Sequence, residues 1–219
     1  MLTLVKGQRL KLGDLLPGGG PLRVGLAARG QTLDFACFGL DVDGKLSDER
    51  YMVSFNQPVS PCGGAKLSAT PGDAVGFDLQ LEGLPARIDR LVFTASLYDG
   101  GSLAGLQTGH LRILDGETET ARYTFTGSDF SAERAVMLGE FYRKEGIWRF
   151  AANGQGFNGG LDALVRHFGG LVAEPSLPPA APPARISLEK RLEKEAPQLI
   201  SLVKKAAVSE LAGLATSLR

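Results

Sequence analysis

Residues 110–125 read His110-Leu-Arg-Ile-Leu-Asp115-Gly116-Glu-Thr-Glu-Thr-Ala-Arg-Tyr-Thr-Phe125. Two runs of strand length, His110–Leu114 and Ala121–Phe125, flank an Asp-Gly dipeptide suited to a hairpin turn. Apolar and polar residues alternate along both runs, the period of a sheet with one buried face. Upstream, similar runs occupy Phe35–Leu40, Tyr51–Phe55, Phe77–Leu81 and Arg90–Tyr98, punctuated by Asp, Gly and Pro. Asp43-Gly44 is a second dipeptide of the hairpin type. The runs recur every ~10–15 residues with no 3.6-period segment between them, which predicts antiparallel layers rather than βαβ units. Downstream, the Ala, Glu and Met content of Ser131–Arg143 favours helix. Lys144-Glu-Gly146 followed by Ile147–Phe150 favours a hairpin, so the second half of that stretch is read as strand. The predicted fold is mainly β: a β-sandwich of two mostly antiparallel sheets, with a short helix near 161–168.

Composition limits the function. Lys plus Arg and Asp plus Glu each number 24, so the formal net charge is zero and a strongly basic nucleic-acid protein is excluded. No apolar run approaches the ~20 residues that span a bilayer. The first residues lack a basic segment followed by an apolar one, so no signal peptide is read there. Two cysteines, Cys37 and Cys62, make no disulfide scaffold, and together these features predict a cytoplasmic protein. Glycine numbers 29 of 219 without a Gly-X-Y period, which suits many tight turns between short strands.

Aromatic residues divide the chain. All of them lie between Phe35 and Phe168, and five prolines crowd into Pro175–Pro183. A globular domain is therefore expected over 1–172, a Pro/Ala-rich linker of polyproline character over 173–185, and an amphipathic helical tail over 186–219. In the tail, Leu199, Val203, Ala206, Leu211, Leu214 and Leu218 recur at three- to five-residue steps. An isolated helix of that length is marginal in water, so it should pack on the sandwich, on a second copy or on a further domain.

Motifs for chemistry are few. Gly154-Gln-Gly156-Phe-Asn-Gly159 matches the dinucleotide pattern, but no strand bearing a ribose-binding acid follows it, so the glycines are read as turning the chain into a last short helix. Asp41-Val-Asp43-Gly44 lacks the glycine and glutamate registers of an EF-hand. His110 suits a cross-strand position, and His167 has no neighbouring carboxylate pair or cysteine for zinc. Cys37 is expected to be buried and Cys62 exposed. No nucleophile elbow is present, so no enzyme is predicted.

The order of the pieces resembles the TerD family of tellurium-resistance and general stress proteins. The resemblance rests on Leu4-Val-Lys-Gly7, Asp43-Gly-Lys-Leu46, Phe55-Asn56 with Ser60-Pro61, Gly72-Asp73 and Gly83-Leu-Pro85. It continues through Leu91-Val-Phe93, Ser96-Leu-Tyr-Asp99, Leu111-Arg-Ile113, Ala121-Arg-Tyr123, Gly139–Arg143, Trp148-Arg-Phe150 and Gly154–Leu161. It implies a β-sandwich over about residues 1–170, with a hairpin at Gly139–Phe150. It also implies calcium binding through acidic loops. Here the family's paired aspartates fall on Thr32 and Asp34, and its long acid-rich loop shrinks to Ala69–Val75, leaving Asp73. Asn56 and Asp99 also match family positions. Calcium needs six to eight oxygens, so the set Asp34, Asn56, Asp73 and Asp99 implies one weak site or none. The tail residues Ile186–Lys190, Glu195–Leu199 and Leu202–Lys205 resemble the segment that precedes a von Willebrand factor A domain in longer relatives. The expected function is a non-catalytic, cytosolic stress-response binding module. Its expected partners are other stress-response proteins, a von Willebrand factor A domain, or a second copy through the tail, with no nucleic acid. The alternative is a calcium-dependent binder of membranes or ligands, against which the lost carboxylates and neutral charge both count.

Overall fold

A computed structural model describes residues 1–172 apart from Asp99. The expected linker and helical tail therefore lie outside the described residues.

Twelve strands form two six-stranded sheets. In chain order they are β1 Leu2–Leu4, β2 Arg9–Lys11, β3 Leu22–Arg29, β4 Leu33–Leu40, β5 Met52–Val53 and β6 Ala65–Ser68, then β7 Val75–Leu79, β8 Arg90–Leu97, β9 Thr108–Asp115, β10 Thr118–Phe125, β11 Ala135–Lys144 and β12 Ile147–Phe157. A four-residue helix α1, Leu12–Leu15, follows β2, and α2, Gly160–His167, closes the described chain. The first sheet runs β1-β10-β9-β3-β7-β6 and the second β2-β12-β11-β8-β4-β5. All pairings are antiparallel except β1 with β10.

The stretch that decides the fold forms the β9–β10 hairpin, with Thr118 opposite Asp115 and Gly116 (φ 65°) at the first loop position. The Ser131–Arg143 ambiguity resolves as strand: β11 and β12 pair through Glu145-Gly146, at φ 55° and 75°. Positive φ at both central residues matches the right-handed twist of the flanking strands. Asp43-Gly44 also turns, but not between paired strands. The Asp41 Oδ1 atom accepts from the Asp43 and Lys45 amides, at 3.0 and 2.8 Å, closing a local loop after β4.

Alternation aims one face of each sheet into a shared core. Val24, Leu26, Phe77, Leu111, Ile113 and Phe125 enter from the first sheet. Cys37, Leu91, Phe93, Leu138, Phe141 and Phe150 enter from the second. Phe77 and Phe93 meet across the layers edge to face at 5.5 Å, and Phe93 meets Phe141 at 6.1 Å. Burial also pushes the Cys37 thiol well above its ordinary range, so it packs as a small apolar group.

β4 and β8 are buried on both faces because α2 covers the outer side of their sheet. Phe38, Leu40, Val92 and Met137 form a second cluster there with Leu164 and Phe168. The Phe38 and Phe168 rings are 5.1 Å apart, and the Leu46 amide donates to the Phe168 carbonyl at 2.7 Å.

The outer face of the first sheet is polar. Arg122 donates to both oxygens of Glu119 at 2.6 and 2.7 Å, and Arg112 reaches the same carboxylate at 3.3 Å. The Arg122 guanidinium, then that of Arg112, holds the Glu119 carboxyl below the usual range despite partial burial. A depressed folded-state value means that this stabilisation is present above the unfolded value, ~4.3, and is lost as pH falls through the folded one. Glu119→Gln should cost about 1–2 kcal/mol at neutral pH and flatten the acid side of the stability curve. Urea midpoints measured at neutral and acid pH check this; parallel losses in both proteins would refute it.

Candidate functional site

One concave surface lies where α2 begins. After β12, Gly159 and Gly160 (φ 65°) turn the chain into the helix, and Leu164 and Phe168 anchor that helix to the second sheet. Gly154 and Gly156 of the dinucleotide-like motif do not turn. They lie inside β12, and the Glu133 side chain lies against the backbone at Gly156, leaving no room there even for a methyl group. A strand-bound glycine with its face covered by a carboxylate offers no cradle to a phosphate.

A cavity of about 450 Å³ opens along one flank of α2. Met52, Leu161, Val165 and Leu171 supply apolar surface, and Glu49, Asn56 and Asp162 line it with polar groups. The opposing wall, residues 46–57, is held by Asp48. This carboxylate accepts from the Arg50 amide and guanidinium and from Arg87 at 2.9–3.1 Å. Arg50, and more weakly Arg87, keeps the Asp48 carboxyl below its ordinary range. Arg87 also lies 5.5 Å over the Tyr51 ring, tying the wall to the core.

A second cavity, about 220 Å³, lies beyond the first turn of α2. Asp34, Ser96, Tyr98, Arg134, Gly160 and Asp162 line it. Leu161 and Asp162 face both cavities, so the helix start separates two compartments that share one carboxylate.

The four expected calcium ligands are thus distributed unevenly. Asp34, on the outer face of β4, and Asn56 come to either side of Asp162. Asp73 sits on the opposite face of the sandwich. Its carboxylate is fully buried, 2.8 Å from both His110 Nε2 and Arg112 Nε. Asp99 lies outside the described residues. Among the described residues no group of three or more His, Cys, Asp or Glu side chains is placed to hold a metal. Glu49 and Asp162 are the acids that sequence reasoning missed. Asp162 carried one signal, an acid in the first turn of a short helix just after a Gly-Gly pair.

The arrangement offers apolar contact next to carboxylates and amides. It suits a ligand with an apolar side and a cationic or hydrogen-bond-donating edge, such as a short basic peptide segment. Both histidines are engaged structurally: His110 with Asp73, and His167 in ring contact with Phe157 and Phe168 at 5.2 and 5.3 Å. No helix among the described residues is long and apolar enough to cross a membrane.

A family model described as the TerD domain matches residues 1–168. General stress protein 16U of Bacillus subtilis is 30% identical, with 77% of this chain and 97% of the relative covered. Tellurium resistance protein TerD of Serratia marcescens is 28% identical at the same coverage of both chains. A solved TerD homologue from Streptomyces coelicolor superposes with a TM-score of 0.51 at 18% identity, covering 66% of this chain and 95% of the other. This last likeness concerns the fold.

Proposed function

The chain belongs to the TerD-domain family of tellurium-resistance and stress-response proteins, and we propose that it works as a non-catalytic binding module of a cytosolic stress response. The observation that carries this reading is the two-compartment groove at the start of α2, with Asp34, Asn56 and Asp162 around an apolar floor. Its walls are fixed by the Asp48 network and by the packing of α2, so the groove exists before a partner arrives, and preorganisation lowers the entropic cost of binding. The partner would be a segment of another stress-response protein, apolar on one side and basic on the other. The segment 186–219, which lies outside the described residues, or a von Willebrand factor A domain as in longer relatives, is a further candidate for assembly.

A second reading keeps one weak calcium site. It is favoured by Asp34 and Asp162 lining the same small cavity, where two carboxylates and the Ser96 hydroxyl supply oxygen ligands. The oxygens are few, so affinity should fall outside the micromolar range.

One pair of variants tests both readings. In a bacterium deleted for this chain, the parent should restore survival under tellurite. Asp34→Asn with Asp162→Asn should not, while melting within about 1 kcal/mol of the parent. Full rescue by the double variant would remove the groove from the function. In titration calorimetry the parent should give no micromolar calcium heat. A millimolar calcium signal abolished by Asp34→Asn would establish the second reading, and a micromolar one would overturn both.

A further inference from the structure

The outer face of the second sheet has two halves. α2 covers the half formed by Ala36, Phe38, Leu40 and Met137. The other half has no covering element among the described residues, and its residues are set by register. Arg90 pairs with Tyr142, Tyr142 with Arg149, and Arg149 with Lys11, so four side chains stand in one row across β8, β11, β12 and β2. In the next row Glu140, Ala151 and Arg9 stand side by side, bordered by Val92 of the α2-covered cluster.

These two rows hold four cations and one acid. Glu140 reaches Arg90 at 3.3 Å, whereas Arg149, Lys11 and Arg9 have no ion pair among the described residues. The Nε atoms of Arg90 and Arg149 are buried without a hydrogen-bond partner. The opposite sheet differs. There Arg23, Arg112 and Arg122 each have a carboxylate, Asp78, Asp73 and Glu119, at 2.6–2.9 Å. Like charges side by side across strands destabilise a sheet, and buried unpaired N–H groups add to that cost. In a chain of zero net charge, a row that concentrates both burdens is a row organised for something absent.

We propose that this row, Lys11–Arg149–Tyr142–Arg90, binds a linear chain of phosphates. Neighbouring strands are ~4.8 Å apart, so Lys11 and Arg149 stand side by side, and Arg90 lies on the same line two strands from Arg149, beyond Tyr142. A guanidinium presents its donors in a planar fork that matches phosphate oxygens, and the two unspent Nε–H groups supply such donors. Tyr142 is the row's one ring. A surface for single-stranded nucleic acid would need a series of aromatic faces for successive bases.

Titration calorimetry of the full chain with tripolyphosphate is the test. We expect binding that weakens steeply as salt rises. It should fall about tenfold or more in Lys11→Gln with Arg149→Gln, since tenfold corresponds to ~1.4 kcal/mol of lost contact. The same double variant should melt no lower than the parent, because it removes like-charge repulsion; this separates lost binding from lost folding. Unchanged affinity in the variant, or orthophosphate binding as tightly as tripolyphosphate, would overturn the proposal. So would an oligothymidylate that binds far more tightly than polyphosphate of equal charge.

Discussion

Phe93→Ala should lower the melting temperature of this protein by about 6–20 °C. Phe93 is 0% exposed and sits where the two sheets meet, with Phe77 on one side and Phe141 on the other. Truncating a buried Phe to Ala costs ~3–5 kcal/mol, from lost transfer energy and from the cavity left behind. For a domain of this size each kcal/mol moves the midpoint by ~2–4 °C. Two aromatic edge contacts disappear as well, each worth ~0.5–1.5 kcal/mol beyond area. Phe93→Leu, which keeps most of the volume, should recover more than half of the loss. A melt within 2–3 °C of the parent for Phe93→Ala would mean that the layers do not depend on this contact.

Asp73→Ala should be nearly as damaging, for a different reason. The Asp73 carboxylate lies on the outer side of the first sheet, in the space left by Gly25, whose backbone it approaches too closely for any side chain there. His110 and Arg112 hold it at 2.8 Å, and Arg112 also donates to the Pro71 carbonyl, so the loop before β7 is pinned to β9. Without Asp73, Arg112 keeps one carboxylate, Glu119 at 3.3 Å, and the Pro71 carbonyl. Breaking a buried pair by deleting one partner costs about 3–5 kcal/mol, because the remaining charge is desolvated and uncompensated. Denaturant midpoints in calcium-free buffer measure the effect. If Asp73 served calcium alone, Asp73→Ala would unfold like the parent under those conditions. Asp34→Ala, at a rim, should stay within about 0.5 kcal/mol.

The two residues also show how far the sequence can be read. Phe93 lies in Arg90–Tyr98, where apolar residues and length announce a strand, and the structure places β8 there. Strands β9 and β10 were legible for the same reason, as were the hairpin of β11 and β12 and the helix after Gly160. β3 was not, although it lies inside the first sheet between β7 and β9. Its Gly25, Ala27 and Ala28 dilute the strand signal, and Gly25 is needed because Asp73 occupies the space above it. β1, β2 and β6 have three or four residues each, too few for periodicity to speak, whereas of the expected run Tyr51–Phe55 only Met52 and Val53 form β5.

At the candidate site, Asp34 and Asn56 were named from family resemblance and do flank the start of α2. Asp162 and Glu49 join them only through folding. Asp73 was named with them and belongs elsewhere. Its partners lie 37 and 39 residues away in sequence, and no local spacing reports such a contact.

The first eleven residues join both layers. β1 lies beside β10 at one edge of the first sheet, β2 lies beside β12 at the matching edge of the second, and Gly7 donates to the Ala152 carbonyl between them. β1 and β2 therefore have no partner until β10 and β12, far later in the chain, have been made. Until that pairing forms, β10 and β12 offer open rims to a neighbouring nascent chain, and the short β1 and β2 are what shields them afterwards.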